Sequence, residues 1–420
     1  MTLLERLGAH AVGGYREGLP GSQREAARLH LADSVGAWIA ARATDEGRAL
    51  LRFESDDRTG LPGRVGLACA LARLSEVDDI HLASATTPGA IVVPAALTVA
   101  ALLDRDGGSL AQAIAVGYDA MARLGAALNG PVILYRGIWP TYLAAPFAVA
   151  AVAARLLGLD EKQAAHALAI ALAFSSPGVG RQSGAATSRW LAVGQAARNG
   201  LAAAVSAHKG FTGDLRLLDG EFFLSVYGIS PDRAALADAR PALPETSFKP
   251  WCAARQTMAA VQALKEWVEE GVPAREISSL AVAVPPPMLK MIDHGVVPGE
   301  RVSLLTSVAY QLEIAAGVEG FMARVSVTAD ESLLVHYPRC WPARVSITTQ
   351  AGTREKLVLH VPGDPQRPFG ETQVAEKFRK LAAPVLGERA AENLLRRCLA
   401  ALDEGPAALV EAIDGARSVG

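Results

Sequence analysis

The sequence holds few of the residues that mark metal, redox or nucleic-acid chemistry. Its four cysteines, Cys69, Cys252, Cys340 and Cys398, lie far apart and form no C-x-x-C pair. That argues against a zinc ribbon or a disulfide framework and fits a reducing cytoplasm. No H-E-x-x-H run is present. With 41 Lys and Arg against 43 Asp and Glu, the formal charge is −2, so there is no electrostatic case for nucleic acid or an anionic membrane. The longest apolar run, Leu143 to Ala154, is interrupted by Pro146 and closed by Arg155, which makes it short for a bilayer span. The first residues, Met-Thr-Leu-Leu-Glu-Arg, lack the basic-then-apolar layout of a secretory signal. A soluble cytoplasmic protein is expected.

What the chain has in quantity is apolar and small. Half of its 420 residues are hydrophobic and the mean hydropathy is +0.21, carried by alanine and leucine rather than by aromatics. A chain of this length exceeds one ordinary core, so two domains are expected. To about residue 240 the pattern is helical, with helices expected over 23–43, 64–74, 94–103, 110–128, 141–157, 161–174 and 189–208. Several are apolar nearly all round, as in helices enclosed by other helices, and their alanine pairs let backbones approach closely. After Pro244 the texture alternates. Strands are expected over 277–284, 323–328, 343–349 and 356–361, with helices over 257–270 and 303–316. From Thr372 through Ile413 the chain is helical again. The fold class is therefore mainly α with an α+β second domain.

Four polar islands interrupt this pattern. The first, Glu76-Val-Asp-Asp-Ile-His-Leu-Ala-Ser-Ala-Thr-Thr-Pro-Gly-Ala90, carries Asp78, Asp79 and His81. A metal site there lacks a further ligand at helical spacing, and the plainer reading has one Asp capping a helix and the other solvated. Thr86 and Thr87 open a turn into a helix, where backbone amides can hold a carboxylate. The second island is Tyr135-Arg-Gly-Ile-Trp-Pro-Thr141, in which Arg136 is suited to a bidentate carboxylate contact or Trp139 to plugging an apolar gap. The third, Gly178 to Trp190, frames Arg181 and Arg189 with glycines and small hydroxyls. No strand precedes it to support a phosphate loop, and a connecting loop fits as well. The fourth, Ser247 to Gln256, gathers Lys249, Cys252 and Arg255. Neighbouring cations can depress a lysine pKa enough for base chemistry, while a domain junction also needs polar contacts.

Taken together, the islands and the segments between them resemble the MmgE/PrpD family, whose members include 2-methylcitrate dehydratase, cis-aconitate decarboxylase and iminodisuccinate epimerase. Leu31-Ala-Asp-Ser-Val-Gly resembles its N-terminal Leu-Asp-x-x-Gly helix. Ala113-Ile-Ala-Val-Gly-Tyr-Asp-Ala-Met-Ala-Arg resembles its Ala-Ile-x-x-Gly-Tyr-Glu segment. Gly194-Gln-Ala-Ala-Arg-Asn-Gly, Gly210-Phe-Thr-Gly and Ser303-Leu-Leu-Thr-Ser-Val-Ala follow in the family's order. The resemblance implies a helical domain over 1–244 completed by 389–420, a smaller α/β lid domain over 245–388, a homodimer and no obligatory cofactor or metal. It also implies that a proton beside a carboxylate is removed in the cleft between domains.

The catalytic residues carry over only in part. Asp78, Asp79 and His81 match the family's Asp-Asp-x-His, and Lys249-Pro250-Trp251 its Lys-Pro-Tyr. The family's His-Pro is Thr87-Pro88 here, its Arg-Gly-x-His ends in Trp139, and a lysine becomes Arg189. Its Thr-His reads Thr257-Met258, and the tyrosine of Ser-Leu-x-Tyr is Thr306. Three histidines and a tyrosine suited to acid–base work are thus absent, while cations for carboxylates remain. The resemblance then implies His81 as the leading base or acid, Lys249 as the second, and Asp78 and Asp79 beside them. Thr86, Thr87, Arg136, Trp139, Arg189, Arg255 and Thr306 would bind a small carboxylate. Three functions follow: a dehydratase- or decarboxylase-type lyase, an isomerase or epimerase using the same deprotonation, or a non-catalytic ligand-binding member. Trp139 in the cleft would favour a substrate larger or less charged than methylcitrate.

Overall fold

The computed structural model describes residues 1–56, 60–175 and 186–416. They form two compact units. The first is drawn from Met1–Arg181, Thr187–Phe248 and Phe369–Gly420, and the second mainly from Lys249–Pro368.

In the first unit the chain begins with α1 (Leu3–Gly13), α2 (Gly21–Ala41), α3 (Asp45–Asp56) and α4 (Leu61–Leu74). Next come α5 (Gly89–Leu102), α6 (Gly107–Ala127), the single turn α7 (Gly130–Ile133), α8 (Pro140–Leu157) and α9 (Glu161–Ala173). Then α10 (Ser188–His208) and the short α11 (Phe222–Tyr227) and α12 (Arg233–Leu236) follow. Side-chain caps start several of them: Thr2 and Glu5 close a capping box on α1, and Asp160 and Gln163 another on α9. Helix α5 begins at Gly89, ahead of the expected 94, because Pro88 already has helical dihedrals and Pro94 is accommodated inside the helix.

Helix α8 has the length and apolar composition to cross a membrane, yet 89% of it is buried. It packs against α5, α6, α9 and α10, so its apolarity is that of a helix enclosed on every side. Close approach requires glycine in this core: a Cβ at Gly200 on α10 would lie 2.4 Å from the Pro146 carbonyl oxygen of α8.

The second unit comprises α13 (Arg255–Glu269), β1 (Ser279–Val284), α14 (Pro286–Ile292), α15 (Arg301–Thr306) and α16 (Val308–Ala316). It continues with β2 (Val325–Ala329), β3 (Ala343–Thr349) and β4 (Gly352–Val358). The strand order is β2-β1-β3-β4, with β1 parallel to β2 and the other pairs antiparallel. Alternation puts Leu280, Val282 and Val284 of β1 and Ala343, Val345 and Ile347 of β3 on the buried face. Helix α13 packs there through a face containing Leu264 and Trp267. The single helix expected over 303–316 is broken at Ser307, whose extended backbone and side chain cap α16. The strand β4 starts earlier than expected, since it pairs through a tight hairpin with β3.

The chain rejoins the first unit at Phe369, earlier than the 389 read from the sequence, with α17 (Glu371–Leu386), α18 (Glu388–Glu404) and α19 (Ala407–Gly415). The reason is in α17 itself. Phe378 lies against Gly36 of α2, where a Cβ would meet its ring at 3.1 Å. Lys377 pairs with Asp33 of α2 at 2.5 Å and donates to the Val77 carbonyl at 2.8 Å. Both side chains are buried. Burial pushes the Asp33 carboxyl above its ordinary range, and the Lys377 ammonium pulls it back. Breaking such a pair strands the remaining charge. Replacement of Lys377 by Met is expected to destabilise the first unit by about 3–5 kcal/mol. In urea unfolding, an Asp33→Asn/Lys377→Met double variant should lose less than the sum of the two single losses, and strict additivity would refute the coupling.

Candidate active site

The Asp78–Thr87 loop is assembled on buried polar contacts. It enters through an isolated bridge of Ile80 with Ser247 and turns back through a second bridge of His81 with Thr86. Asp79, fully buried, accepts two hydrogen bonds and has an imidazole beside it. Its Oδ1 accepts from the Gly89 amide at 2.8 Å, and its Oδ2 accepts from the Tyr118 hydroxyl at 2.6 Å and lies 2.8 Å from His30 Nδ1. The loop is thereby tied to α5, α6 and α2. The His30 ring stacks on Phe248 at 4.2 Å. Burial and the Asp79 charge keep the Tyr118 phenol protonated far above its ordinary pKa. Gly89 allows no side chain, because a Cβ would lie 2.6 Å from Asp79 Oδ2.

His81 is half-buried. Its Nδ1 lies 2.9 Å from Ser84 Oγ. Ser84 Oγ in turn is 3.2 Å from the His81 carbonyl and 2.6 Å from Thr86 Oγ1. A carbonyl only accepts, so when the Ser84 proton goes to it, Ser84 accepts from His81 Nδ1–H and Nε2 carries the lone pair. The turn under Ser84 is held by Gly130, where a Cβ would lie 1.8 Å from the Ser84 carbonyl oxygen. Burial lowers the His81 pKa from 6.5 to about 4, against the opposing pull of Asp79. The imidazole is therefore neutral across the physiological range.

Asp78 is also buried, with Arg73 NH1 3.2 Å away; the same NH1 is 2.8 Å from Glu76. The Arg73 guanidinium sits 5.7 Å from the Trp139 ring and that of Arg189 5.3 Å from it. Trp139 also meets the Tyr142 ring edge-on at 5.1 Å. Thr87 joins this group through its amide, which donates to Thr141 Oγ1 at 3.0 Å. The first unit thus brings together Asp78, Asp79, His81, Thr86, Thr87, Trp139 and Arg189.

The remaining expected residues stand elsewhere. Arg136 is exposed and donates to the Tyr227 carbonyl at the end of α11. In the second unit Arg255 is wholly buried and bound to Asp364 at 2.6 Å, and Asp364 also accepts from the Val361 amide. Thr306 donates to the Val302 carbonyl and lies 2.9 Å from His294 Nε2. Lys249 is buried. Most of the third island, residues 178–185, lies outside the described residues. Among the described residues no group of three His, Cys, Asp or Glu is arranged to hold a metal ion.

Sequence reasoning missed His30, Arg73, Ser84, Tyr118, Tyr142 and His294. A signal existed for two of them. His30 interrupts an apolar helix face three residues before Asp33, and Tyr118 lies in the Gly-Tyr-Asp stretch already singled out.

A helical unit carrying a buried carboxylate–imidazole loop, with a separate four-stranded α/β unit, defines the class. Two family profiles match it: the MmgE/PrpD N-terminal domain over residues 5–232 and the MmgE/PrpD C-terminal domain over residues 315–401. The chain belongs to the MmgE/PrpD family, whose members are in general enzymes of the dehydratase and lyase type. Among curated proteins none matches the chain.

The depressed His81 pKa has a consequence for stability. The unfolded chain binds a proton at His81 near pH 6.5 and the folded chain only near pH 4. Protons therefore favour the unfolded state, and this contribution to stability is present above pH 6.5 and lost as the pH falls towards 4. Thermal melts at pH 7, 5.5 and 4.5 should show a steeper acid loss for the wild type than for His81→Gln. Equal slopes would show that His81 titrates normally.

Proposed function

We propose that the protein is a cofactor-independent lyase of the dehydratase or decarboxylase type that acts on a small carboxylate, with His81 as the base. The observation that carries this reading is the setting of His81: burial holds it neutral and its Nδ1 lies 2.9 Å from Ser84 Oγ, so that with the Ser84 proton on the His81 carbonyl its Nε2 is left to accept a proton. Asp78 Oδ1 is held by Arg73, and Asp79 by the Gly89 amide and the Tyr118 hydroxyl, so their part is to hold the loop rather than to exchange protons. In the reaction, Nε2 takes the proton from the carbon beside the carboxylate. The electron pair left on carbon forms a double bond as the C–O bond to a β-hydroxyl breaks, and the hydroxyl takes the proton from the His81 imidazolium and departs as water. Lys249 is the second candidate for proton transfer, and Thr86, Thr87, Trp139, Arg189, Arg136, Arg255 and Thr306 are proposed as the carboxylate-binding set. Within it Arg189 and Trp139 have the strongest support, since they stand together with the loop that carries His81. A homodimer, on the resemblance to the family, and a cytoplasmic location, on the scattered cysteines, accompany this reading.

An epimerase differs only in the fate of the carbanion, which regains its proton instead of expelling a group. One experiment separates the readings: proton NMR in heavy water with a panel of di- and tricarboxylates. Loss of water or carbon dioxide is the expected result. Solvent exchange without net conversion would establish the epimerase. His81→Ala should lower the rate by about 10²–10⁴-fold. On the account of His81 the rate should stay level from about pH 5.5 upward and fall through an acid limb near pH 4. A panel with no exchange at all, and no phenotype for His81→Ala or Lys249→Ala, would leave a ligand-binding protein instead.

A further inference from the structure

Tyr142 lies in the first turn of α8, and its side chain is almost fully buried, at 1% exposure. Its hydroxyl makes no hydrogen bond among the described residues. A buried donor without an acceptor costs about 1–3 kcal/mol, so it calls for a partner that the described residues do not supply. The surroundings say what kind. The phenol ring meets Trp139, the partly exposed member of the group. Two guanidiniums, Arg73 and Arg189, and two carboxylates, Glu76 and Asp78, bear on it electrostatically. Glu76 and Asp78 are both engaged by Arg73, while Arg189 lies over the Trp139 ring. Burial keeps the phenol protonated, so it donates at any physiological pH. A donor of this kind gains most from a charged acceptor.

We infer that the Tyr142 hydroxyl is a substrate-binding group, donating a hydrogen bond to a carboxylate oxygen of the bound acid at a subsite framed by Trp139 and Arg189. The inference rests on the proposed function, because the acid is its substrate. It adds a residue to which neither the sequence motifs nor the family match points, and it gives Trp139 a purpose. The indole holds Arg189 in place through its ring and closes one side of the subsite.

The test is a thermal-shift titration of the wild type and Tyr142→Phe with succinate, malonate and citrate, and with dimethyl succinate as the uncharged control. In the ligand-free protein the variant should melt at or above the wild type, since it removes a buried polar atom that has no acceptor. With the acids, the wild type should be stabilised and the variant should need about tenfold more acid or beyond for the same shift. The ester should shift neither. A ligand-free Tyr142→Phe that melts about 4 °C or more lower would mean that the hydroxyl has an internal partner, and would overturn the inference. So would an unchanged acid titration in the variant, or an equal response to the ester. If no acid stabilises even the wild type, the inference and the proposed carboxylate substrate fall together; if the wild type responds and the variant matches it, only the inference falls.

Discussion

The Asp79 carboxylate is the interaction on which the first unit's polar interior depends. Groups from three helices converge on it: the Gly89 amide at the start of α5 and the Tyr118 hydroxyl of α6 donate hydrogen bonds, and the His30 ring of α2 lies 2.8 Å away. A carboxylate taken out of water must recover its lost solvation, and it does so here through the Gly89 and Tyr118 hydrogen bonds. Because those bonds come from separate helices, satisfying the charge also fixes the spacing of the helices around it. The loop that carries His81 inherits its rigidity from this arrangement. That rigidity is what lets a single imidazole keep one orientation and one protonation state.

Trp139 shows how a family site can change composition and keep part of its function. Its ring lies within cation–π distance of Arg73 and Arg189, and an indole face stabilises a cation without itself titrating. An imidazole at the same place can share a proton; the indole cannot. The exchange removes one proton relay while retaining the cationic character of the surroundings. The arginine in place of lysine at position 189 acts in the same direction, since a guanidinium remains charged and presents a flat face to the ring. On the proposed reading, proton transfer is left to His81 and Lys249.

Much of the fold was legible because helix periodicity is local. The enclosed helices α6, α8, α9 and α10 were placed to within a few residues, and the one-sided strands β1 and β3 showed as alternation. Where the reading differed, the cause was a contact or cap that propensity does not see. Ser307 breaks a long apolar stretch by capping, and α17 joins the helical unit because of Lys377 and Phe378. The site was legible only as a set of polar islands. Asp78 and Asp79 stood out as a doublet, but nothing near them announced His30 or Tyr118 as partners, because those contacts are long-range. Arg255 stood out as an anion donor, but its buried partner Asp364, 109 residues away, did not. Tyr142 gave no signal at all, since a tyrosine on an apolar helix reads as core.

The bond from Lys377 to the Val77 carbonyl spans 300 residues of sequence. On the ribosome the loop emerges long before the side chain that fastens it. At about 5–20 residues per second, the wait is on the order of 15–60 s. During that interval Asp33 has no ammonium beside it and Val77 no donor. The entry to the loop bearing the candidate base therefore gains its last contact only near the end of translation, and a chain stopped short of α17 would carry every loop residue of the candidate site with the Val77 carbonyl lacking the Lys377 donor.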